Sequence, residues 1–327
     1  MKRILSGMQA SGKLHLGNLV GALQNWVRLQ KEYECFYFVA DWHALTSGYE
    51  NPGAIKESTM DLLLNFLSAG LDPEKCTIFI QSMVPGHSEL HLILSMITPL
   101  GWLERVPTYK EKREEIKDRD LSTYGFLGYP VLQSADILLY RANHVPVGAD
   151  QLPHLEITRE IARRFNHFYG EVLPEPEALL TEYPKVPGVD GRKMSKSYGN
   201  AIYLSDPPKE VEQKIRTMMT DPARKLRTDR GNPELCPVYH LHKVFSSSDE
   251  QDWVVKGCTT AGIGCIDCKK VLIKNVMGVL GPLWERRQKL MENPAYLKEI
   301  AIKGSKKAGA AAEETMAAVK EALGWWF

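Results

Sequence analysis

A chain of 327 residues, 44% of them hydrophobic, carries enough apolar mass for one large or two ordinary domains and is not a disordered sequence. Its 41 basic residues stand against 40 acidic ones, a net charge of +1, so no global field favours a nucleic acid or a membrane and any polyanion must be met locally. The opening MKRILSGMQASG lacks the apolar core of a secretion signal and no run approaches the ~18 apolar residues of a membrane span, so a cytoplasmic chain with no membrane partner is expected.

The first strand signal, "KRILSG", runs into Gly7, four residues, then Gly12 and Lys13, one hydroxyl short of a P-loop. A P-loop lysine precedes Ser or Thr, because that hydroxyl holds the magnesium that bridges the phosphates. Leu14 cannot ligate a hard cation. The stretch reads instead as a glycine turn leading into a helix that opens "HLGN". There the imidazole of His15 and the amide of Asn18 would face a triphosphate at a helix N-terminus, with Gly17 leaving room for an adenine ring.

Short apolar runs then alternate with amphipathic ones: "HLGNLVGALQNWVRLQ", "ECFYFVAD", "GAIKESTMDLLLNFLSAG", "CTIFIQS", "SELHLILSMIT". This rhythm predicts an α/β fold, a doubly wound parallel sheet of Rossmann type covered on both faces. Such sheets bind ligands beyond the carboxyl ends of their strands, which points to the loops after "ILS", "FVAD" and "IQS". Cys35 and Cys76 sit in β-type runs and read as small buried hydrophobes. Residues 101 to 128 are densely charged and read as helix and solvated loop.

"YPVLQSADILLYRA" predicts a proline-started helix, "HVPVG" a short strand, and "ADQLPHLEITREIARRFNHFYG" a long amphipathic helix. The proline-rich stretch from Leu173 to Lys193 reads as an irregular connection. After residue 200 strand signals fade, which predicts a smaller all-helical domain, and the Ala-rich tail reads as a helix closed by an aromatic cluster. The expected division is a Rossmann-like domain at 1–191, a helical domain at 192–291, and a C-terminal helix at 292–327 that packs back on the first.

Two further features carry chemistry. "GRKMSKS" places Lys193 and Lys196 three apart on a glycine-flanked loop, with Ser195 and Ser197 beside them. Cys236, Cys258, Cys265 and Cys268 fall within 33 residues, the last two as C-x-x-C, which suggests a metal site, although four scattered thiols can also be buried hydrophobes.

A His-containing element after the first strand, paired with KMSKS roughly 180 residues later, resembles the class I aminoacyl-tRNA synthetases. "GMQASGKLHLGN", "FVADWHALT", "YPVLQSADILLY", "VPVGADQLPHLEITREIARRFN", "PGVDGRKMSKS" and "TDPARKLRTDRGNPELCPV" narrow the resemblance to the tryptophanyl-tRNA synthetases over nearly the whole chain. The fourth position of the His-containing element departs from the pattern as Asn18, an amide that donates to phosphate but is not an acid.

The resemblance implies activation of L-tryptophan by ATP with magnesium, then transfer of the aminoacyl group to the tRNA for tryptophan, in a homodimer. It implies catalytic roles for His15, Asn18, Lys193 and Lys196. The ATP site would add Gln9, Ala10, Ser11, Gly17, Gly148, Ala149, Asp150, Val186, Met194, Ser195 and Ser197. For tryptophan the acceptor would be Asp136, with Tyr129, Gln133, His43, Val145, Val147 and Gln151 as walls. The helical domain would read the anticodon, and "RKLRTDR" at 224–230 would meet tRNA phosphates. The cysteine spacing resembles a subset of the family holding a [4Fe-4S] cluster on Cys236, Cys258, Cys265 and Cys268, with zinc or no metal as the alternatives. The rivals are a tyrosyl-tRNA synthetase, a small-molecule adenylyltransferase, and an iron-sulfur nucleic-acid binder without activity.

Overall fold

A computed structural model describes residues 1–106, 109, 120–148, 151–180 and 186–325, and the elements below lie among them. Five parallel strands form one sheet in the order β3-β2-β1-β4-β5, with β1 at Arg3–Gln9, β2 at Glu34–Ala40, β3 at Thr77–Ile80, β4 at His144–Val147 and β5 at Glu177–Leu180. The chain winds outward from β1 through β2 to β3, then returns to the other side of β1 as β4. The carboxyl ends of β1 and β4 are therefore the switch point where such sheets leave a crevice.

Strand β2, ECFYFVA, shows why the fold forms. Cys35, Tyr37 and Val39 enter one core, shared with Trp26, Leu62 and Phe66, while Phe36, Phe38 and Ala40 enter the opposite one, shared with Phe79, Leu138 and Tyr140. Both alternating sets are apolar because helices cover both faces. Helix α4 (Pro52–Ala69) lies on the first face; α5 (Gly86–Ser95) and α8 (Tyr129–Leu139) lie on the second. Gly7 of β1 is a glycine because a Cβ there would sit 2.4 Å from the Phe38 ring.

Helix α1 (Leu16–Asn18) passes through a π-helical segment, Leu19–Leu23, into α2 (Gln24–Leu29). The continuous helix read from the sequence is thus widened by one turn just behind the His15 loop, a place where π-segments often accompany sites. Two short helices, α3 (Asp41–Gly48) and α6 (Leu100–Glu104), follow β2 and α5, and α7 (Tyr124–Leu127) precedes α8. Residues 107, 108 and 110–119 of the charged run at 101 to 128 lie outside the described residues.

One expectation fails. The proline-rich stretch read as irregular contains β5, which pairs along β4 from His144↔Glu177 to Val147↔Leu180. It is a four-residue edge strand with Leu180 62% exposed, too short and too wet to show an apolar pattern. Helix α9 (Leu152–Tyr169) connects β4 to it.

The second half is helical: α10 (Pro208–Thr217), α11 (Pro237–Phe245), α12 (Ser248–Thr259) and the long α13 (Cys265–Met291). The far end of α13 is fastened to α4, with Arg287 Nη2 2.6 Å from Asp61 Oδ1 and Arg286 Nε donating to Ser68 O at 2.6 Å. Helix α14 (Pro294–Ala322) then covers the edge strand β3. Approach is so close that a Cβ on Gly304 would lie 1.8 Å from Ile78 O, and Ser305 Oγ accepts from Ile80 N–H at 3.4 Å. Trp325 is exposed at the end of that helix; the last two residues of the aromatic tail, Trp326 and Phe327, lie outside the described ones.

Candidate active site

The loop after β1 turns at Gly12, whose φ of +101° is a conformation that glycine adopts without strain. It delivers His15 as the N-cap of α1, where the His15 N–H donates to Asn18 Oδ1 at 3.0 Å. That bond leaves the amide NH₂ of Asn18 free of this duty. Behind the turn, Leu16 N–H donates to Ile202 O at 3.0 Å and Leu204 N–H to Leu14 O at 2.8 Å, which fixes the loop against the strand-like segment following KMSKS.

KMSKS itself is held by Asn200. Its Oδ1 accepts from Ser195 N–H at 2.8 Å and its Nδ2 donates to Asp190 Oδ1 at 2.7 Å and to Lys193 O at 3.1 Å. Met194 is buried and its N–H donates to Val186 O at 3.0 Å. The outcome is direct contact between two segments 184 residues apart: Lys196 Nζ donates to Ser11 O at 3.1 Å and to Gly12 O at 3.2 Å. Lys193 and Ser197 are exposed beside it.

His15 faces this junction. Burial and the nearby Lys196 and Lys193 ammonium groups lower its pKa to about 4, so the ring is neutral at physiological pH. Its Nδ1 is buried without a hydrogen-bond partner among the described residues. A Cβ on Gly17 would lie 3.0 Å from the His15 ring and 3.9 Å from Val186 Cβ, so this glycine gives the imidazole its place. Burial also lowers the pKa of Lys196. Among the described residues neither Lys193 nor Lys196 is paired with a carboxylate. Two ammonium groups, an imidazole and a helix N-terminus thus converge with no anion among them, which suits phosphate.

Gln9 joins this cluster to a second one, its Nε2 donating to His43 O at 3.0 Å. His43 Nε2 lies 2.7 Å from Asp136 Oδ2, and Asp136, at 2% exposure on α8, is the hub of a closed network. Gln81 Nε2 donates to Asp136 Oδ1 at 2.8 Å and His87 Nδ1 lies 2.6 Å from the same oxygen. Burial would push the Asp136 pKa up, but the His43 and His87 partners outweigh it and hold it down at about 2.

Tyr129 and Gln133 share the helical face of Asp136 at spacings of seven and three, with the Tyr129 ring packed on Phe126 and His154. Val145 and Val147 are buried on the β4 face that looks toward α8, and Gln151 is half-buried just before α9. Ala10 is buried, Ser11 exposed, and Gly148 directly follows β4, its O accepting from Gln151 N–H at 3.0 Å. Ala149 and Asp150 lie outside the described residues.

The sequence reading missed Gln81, His87 and Tyr140. Gln81 belonged to "IQS", a loop already marked as one of interest, and Tyr140 falls one turn after Asp136 on the same face. His87 carried no signal of its own.

Cys236, Cys258, Cys265 and Cys268 line a single pocket, closed by Pro233, Val238, Tyr239, Val254 and Ile263. Burial and the neighbouring thiols push Cys268 up to about 12, and burial raises Cys258. His242 Nε2 lies 3.3 Å from Cys268 Sγ and Arg224 Nη1 3.8 Å from Cys258 Sγ. Among the described residues no three His, Cys, Asp or Glu side chains are gathered to hold one metal ion. Arg224 is a correction: it is buried and donates to Arg227 O and Ile263 O, so it ties its loop to the segment between α12 and α13 and is not available to tRNA phosphates.

Comparison with known proteins agrees with this geometry. The family described as tRNA synthetases class I (W and Y) matches residues 1–281. A tryptophan–tRNA ligase of Thermotoga maritima is 58% identical over 327 residues, 99% of this chain and 100% of that one. A second, from Ralstonia nicotianae, is 48% identical over 99% of this chain and 98% of that one. A solved tryptophanyl-tRNA synthetase from Campylobacter jejuni, complexed with ADP and tryptophan, superposes with a TM-score of 0.89 at 36% identity, over 98% and 99% of the two chains.

The chain belongs to the class I aminoacyl-tRNA synthetase family that contains the tryptophan and tyrosine enzymes. Its activity is that of a tryptophan–tRNA ligase, which sets aside the tyrosine, adenylyltransferase and non-enzymatic alternatives.

Proposed function

We propose that the two clusters are the two halves of one active site, in which ATP lies across His15, Asn18, Lys193 and Lys196 and the indole of tryptophan donates to Asp136. The observation that carries this reading is the contact of Lys196 with Ser11 O and Gly12 O, which joins two distant motifs at one place. Gln9, bonded to the backbone of His43, sets the amino-acid half beside it.

The tryptophan carboxylate attacks the α-phosphate and pyrophosphate leaves. No protein nucleophile is needed, so positioning and charge stabilisation supply the rate. Neutral His15 donates one ring N–H to a phosphate oxygen, Asn18 a side-chain N–H, and the two lysines neutralise charge growing on the leaving pyrophosphate. Gln9, Ala10, Ser11, Gly17, Gly148, Ala149, Asp150, Val186, Met194, Ser195 and Ser197 line the remainder, and magnesium rides on the phosphates with few protein ligands. Tyr129, Gln133, His43, Val145, Val147 and Gln151 form the walls around the indole. Exchange of pyrophosphate into ATP on the purified protein tests the reading. It should depend on tryptophan and not on tyrosine, and fall steeply in Lys196→Ala and Asp136→Ala; exchange that stays at the parent rate in both substitutions refutes it.

The four cysteines hold a [4Fe-4S] cluster in this reading. Their donor chemistry fits: all four are thiols facing one apolar pocket, Arg224 directs an N–H group at the Cys258 sulfur, and the His242 ring lies against the Cys268 sulfur. A cubane takes one thiolate on each iron, so three ligands need not converge on one ion. When bound, the cluster would staple the α11, α12 and α13 segments. Anaerobic protein should contain iron and sulfide and show visible absorption that bleaches on reduction; a colourless zinc protein would refute it. Residues 192–291 are proposed as the anticodon-reading domain and 1–191 as the catalytic one, with 292–327 packed back on it, in a cytoplasmic homodimer.

A further inference from the structure

The hydrogen-bond network around Asp136 extends one step beyond the residues that line the tryptophan pocket, and its proton directions can be assigned. Gln81 Oε1 accepts from Trp42 N–H at 3.2 Å, so its Nε2 is the end that donates to Asp136 Oδ1. His87 bridges Asp136 and Tyr140, with Nδ1 2.6 Å from Asp136 Oδ1 and Nε2 2.7 Å from the Tyr140 hydroxyl. His87 and Tyr140 are both fully buried, packed among the rings of Phe36, Phe38 and Phe79. Burial and the Asp136 carboxylate raise the Tyr140 pKa well above the ordinary phenol value, so its hydroxyl keeps its proton.

Ionised Asp136 only accepts, so in a neutral His87 ring the proton sits on Nδ1 and the protonated Tyr140 hydroxyl donates to the bare Nε2. The ring then carries its own proton on Nδ1 and donates it to Asp136. With His43 on Oδ2, three donors fill three of the roughly four acceptor positions of the carboxylate. Whatever enters the pocket and meets Asp136 must itself be a donor. An indole N–H is only a donor.

We propose that His87 and Tyr140 are positioning residues for tryptophan selection: the tyrosine hydroxyl fixes the histidine tautomer, and the histidine holds Asp136 oriented with one acceptor position free for the indole N–H. This rests on the reading of Asp136 as the indole acceptor. Without the Tyr140 hydroxyl, the other tautomer becomes accessible and turns a bare nitrogen lone pair toward Asp136, which pushes the carboxylate out of register.

The test compares tryptophan with 3-benzothienylalanine, which has the same shape with sulfur in place of the N–H. The readout is the ratio of their kcat/KM values in pyrophosphate exchange. Tyr140→Phe, which keeps the volume, and His87→Leu should lower the ratio about tenfold through tryptophan alone, leaving the analogue unchanged. His87→Asn, whose amide can still donate to Asp136, should keep most of the ratio. Equal losses for both substrates would make the pair mere packing and overturn the proposal. Asp136→Asn separates the two levels: if it abolishes the ratio while Tyr140→Phe and His87→Leu retain it, only the positioning role falls. If Asp136→Asn itself leaves the ratio intact, the indole reading falls and this proposal with it.

Discussion

The two halves of the site are built on opposite principles. Around Asp136 every donor has a partner: Gln81, His87 and His43 all point inward, and the one position left open is an acceptor. Around Lys196 the polar groups are left wanting. Among the described residues the ammonium makes do with two backbone carbonyls, and the His15 Nδ1 is buried with no partner. A buried polar atom without a partner costs stability, and a chain retains one where a ligand supplies what is missing. On the proposed reading, the contrast separates a pocket that selects from a pocket that waits for charge. Selection demands a geometry fixed before the ligand arrives, since discrimination rests on the penalty for a wrong partner. Transfer of a phosphoryl group demands groups that engage as charge develops.

Removing the hub should have the largest effect. Asp136→Ala deletes the acceptor and strands three donors, each at about 1–3 kcal/mol. Tryptophan-dependent exchange is expected to fall on the order of 10³-fold or more, with a lower Tm, while ATP binding measured by calorimetry stays close to that of the parent protein. ATP binding lost in parallel would show that the two halves are not separately organised.

Lys196→Ala comes next. Among the described residues the Lys196 ammonium donates to two backbone carbonyls and to no carboxylate, so its removal should leave stability and substrate affinities nearly untouched. The rate of adenylate formation should drop about 10²- to 10³-fold, as for loss of one charge-stabilising donor. Raised KM with an unchanged kcat would mean that the lysine binds the ground state and the transition state alike.

Gly17→Ala tests the crowding behind His15. The added methyl would lie 3.0 Å from the imidazole, so the ring must move by a few tenths of an ångström. Such a shift at a catalytic group is expected to cost about tenfold in kcat/KM for ATP, with little change in tryptophan binding. A change confined to tryptophan would place the ring in the wrong half.

The unequal legibility of these halves in the sequence has a physical cause. The phosphate half is made of loop residues whose types are dictated by chemistry and by turn geometry, such as Gly12, His15, Lys193 and Lys196, so local motifs expose it. Asp136 was singled out through the family resemblance, and a carboxylate among Ala135, Ile137 and Leu138 is costly to bury without purpose. Its partners were not. His87 is 49 residues away and meets Asp136 only because α5 and α8 pack on the same face of the sheet. The same applies to β5, whose four residues become a strand through β4 and not through any pattern of their own.

The smallest effect follows from His15 alone and bears on the waiting half most directly. The ordinary imidazole titrates at 6.5 and this one at about 4, chiefly because it is buried and secondly because two lysines stand near. Between those values the unfolded chain binds a proton that the folded chain refuses, so stability rises with pH across the window and is lost as pH falls from 6.5 toward 4. His15→Gln removes that proton, and the slope of Tm against pH in this range should become shallower. ATP should do the same to the parent protein, because phosphate oxygens next to the ring favour its charged form and narrow the gap between folded and unfolded values. The stabilisation by ATP, taken relative to His15→Gln, is therefore expected to be greater at about pH 5 than at about pH 7. Equal stabilisation at both would mean that the phosphates do not reach the imidazole, and the orphaned nitrogen would then belong to the packing behind the loop and not to the triphosphate in front of it.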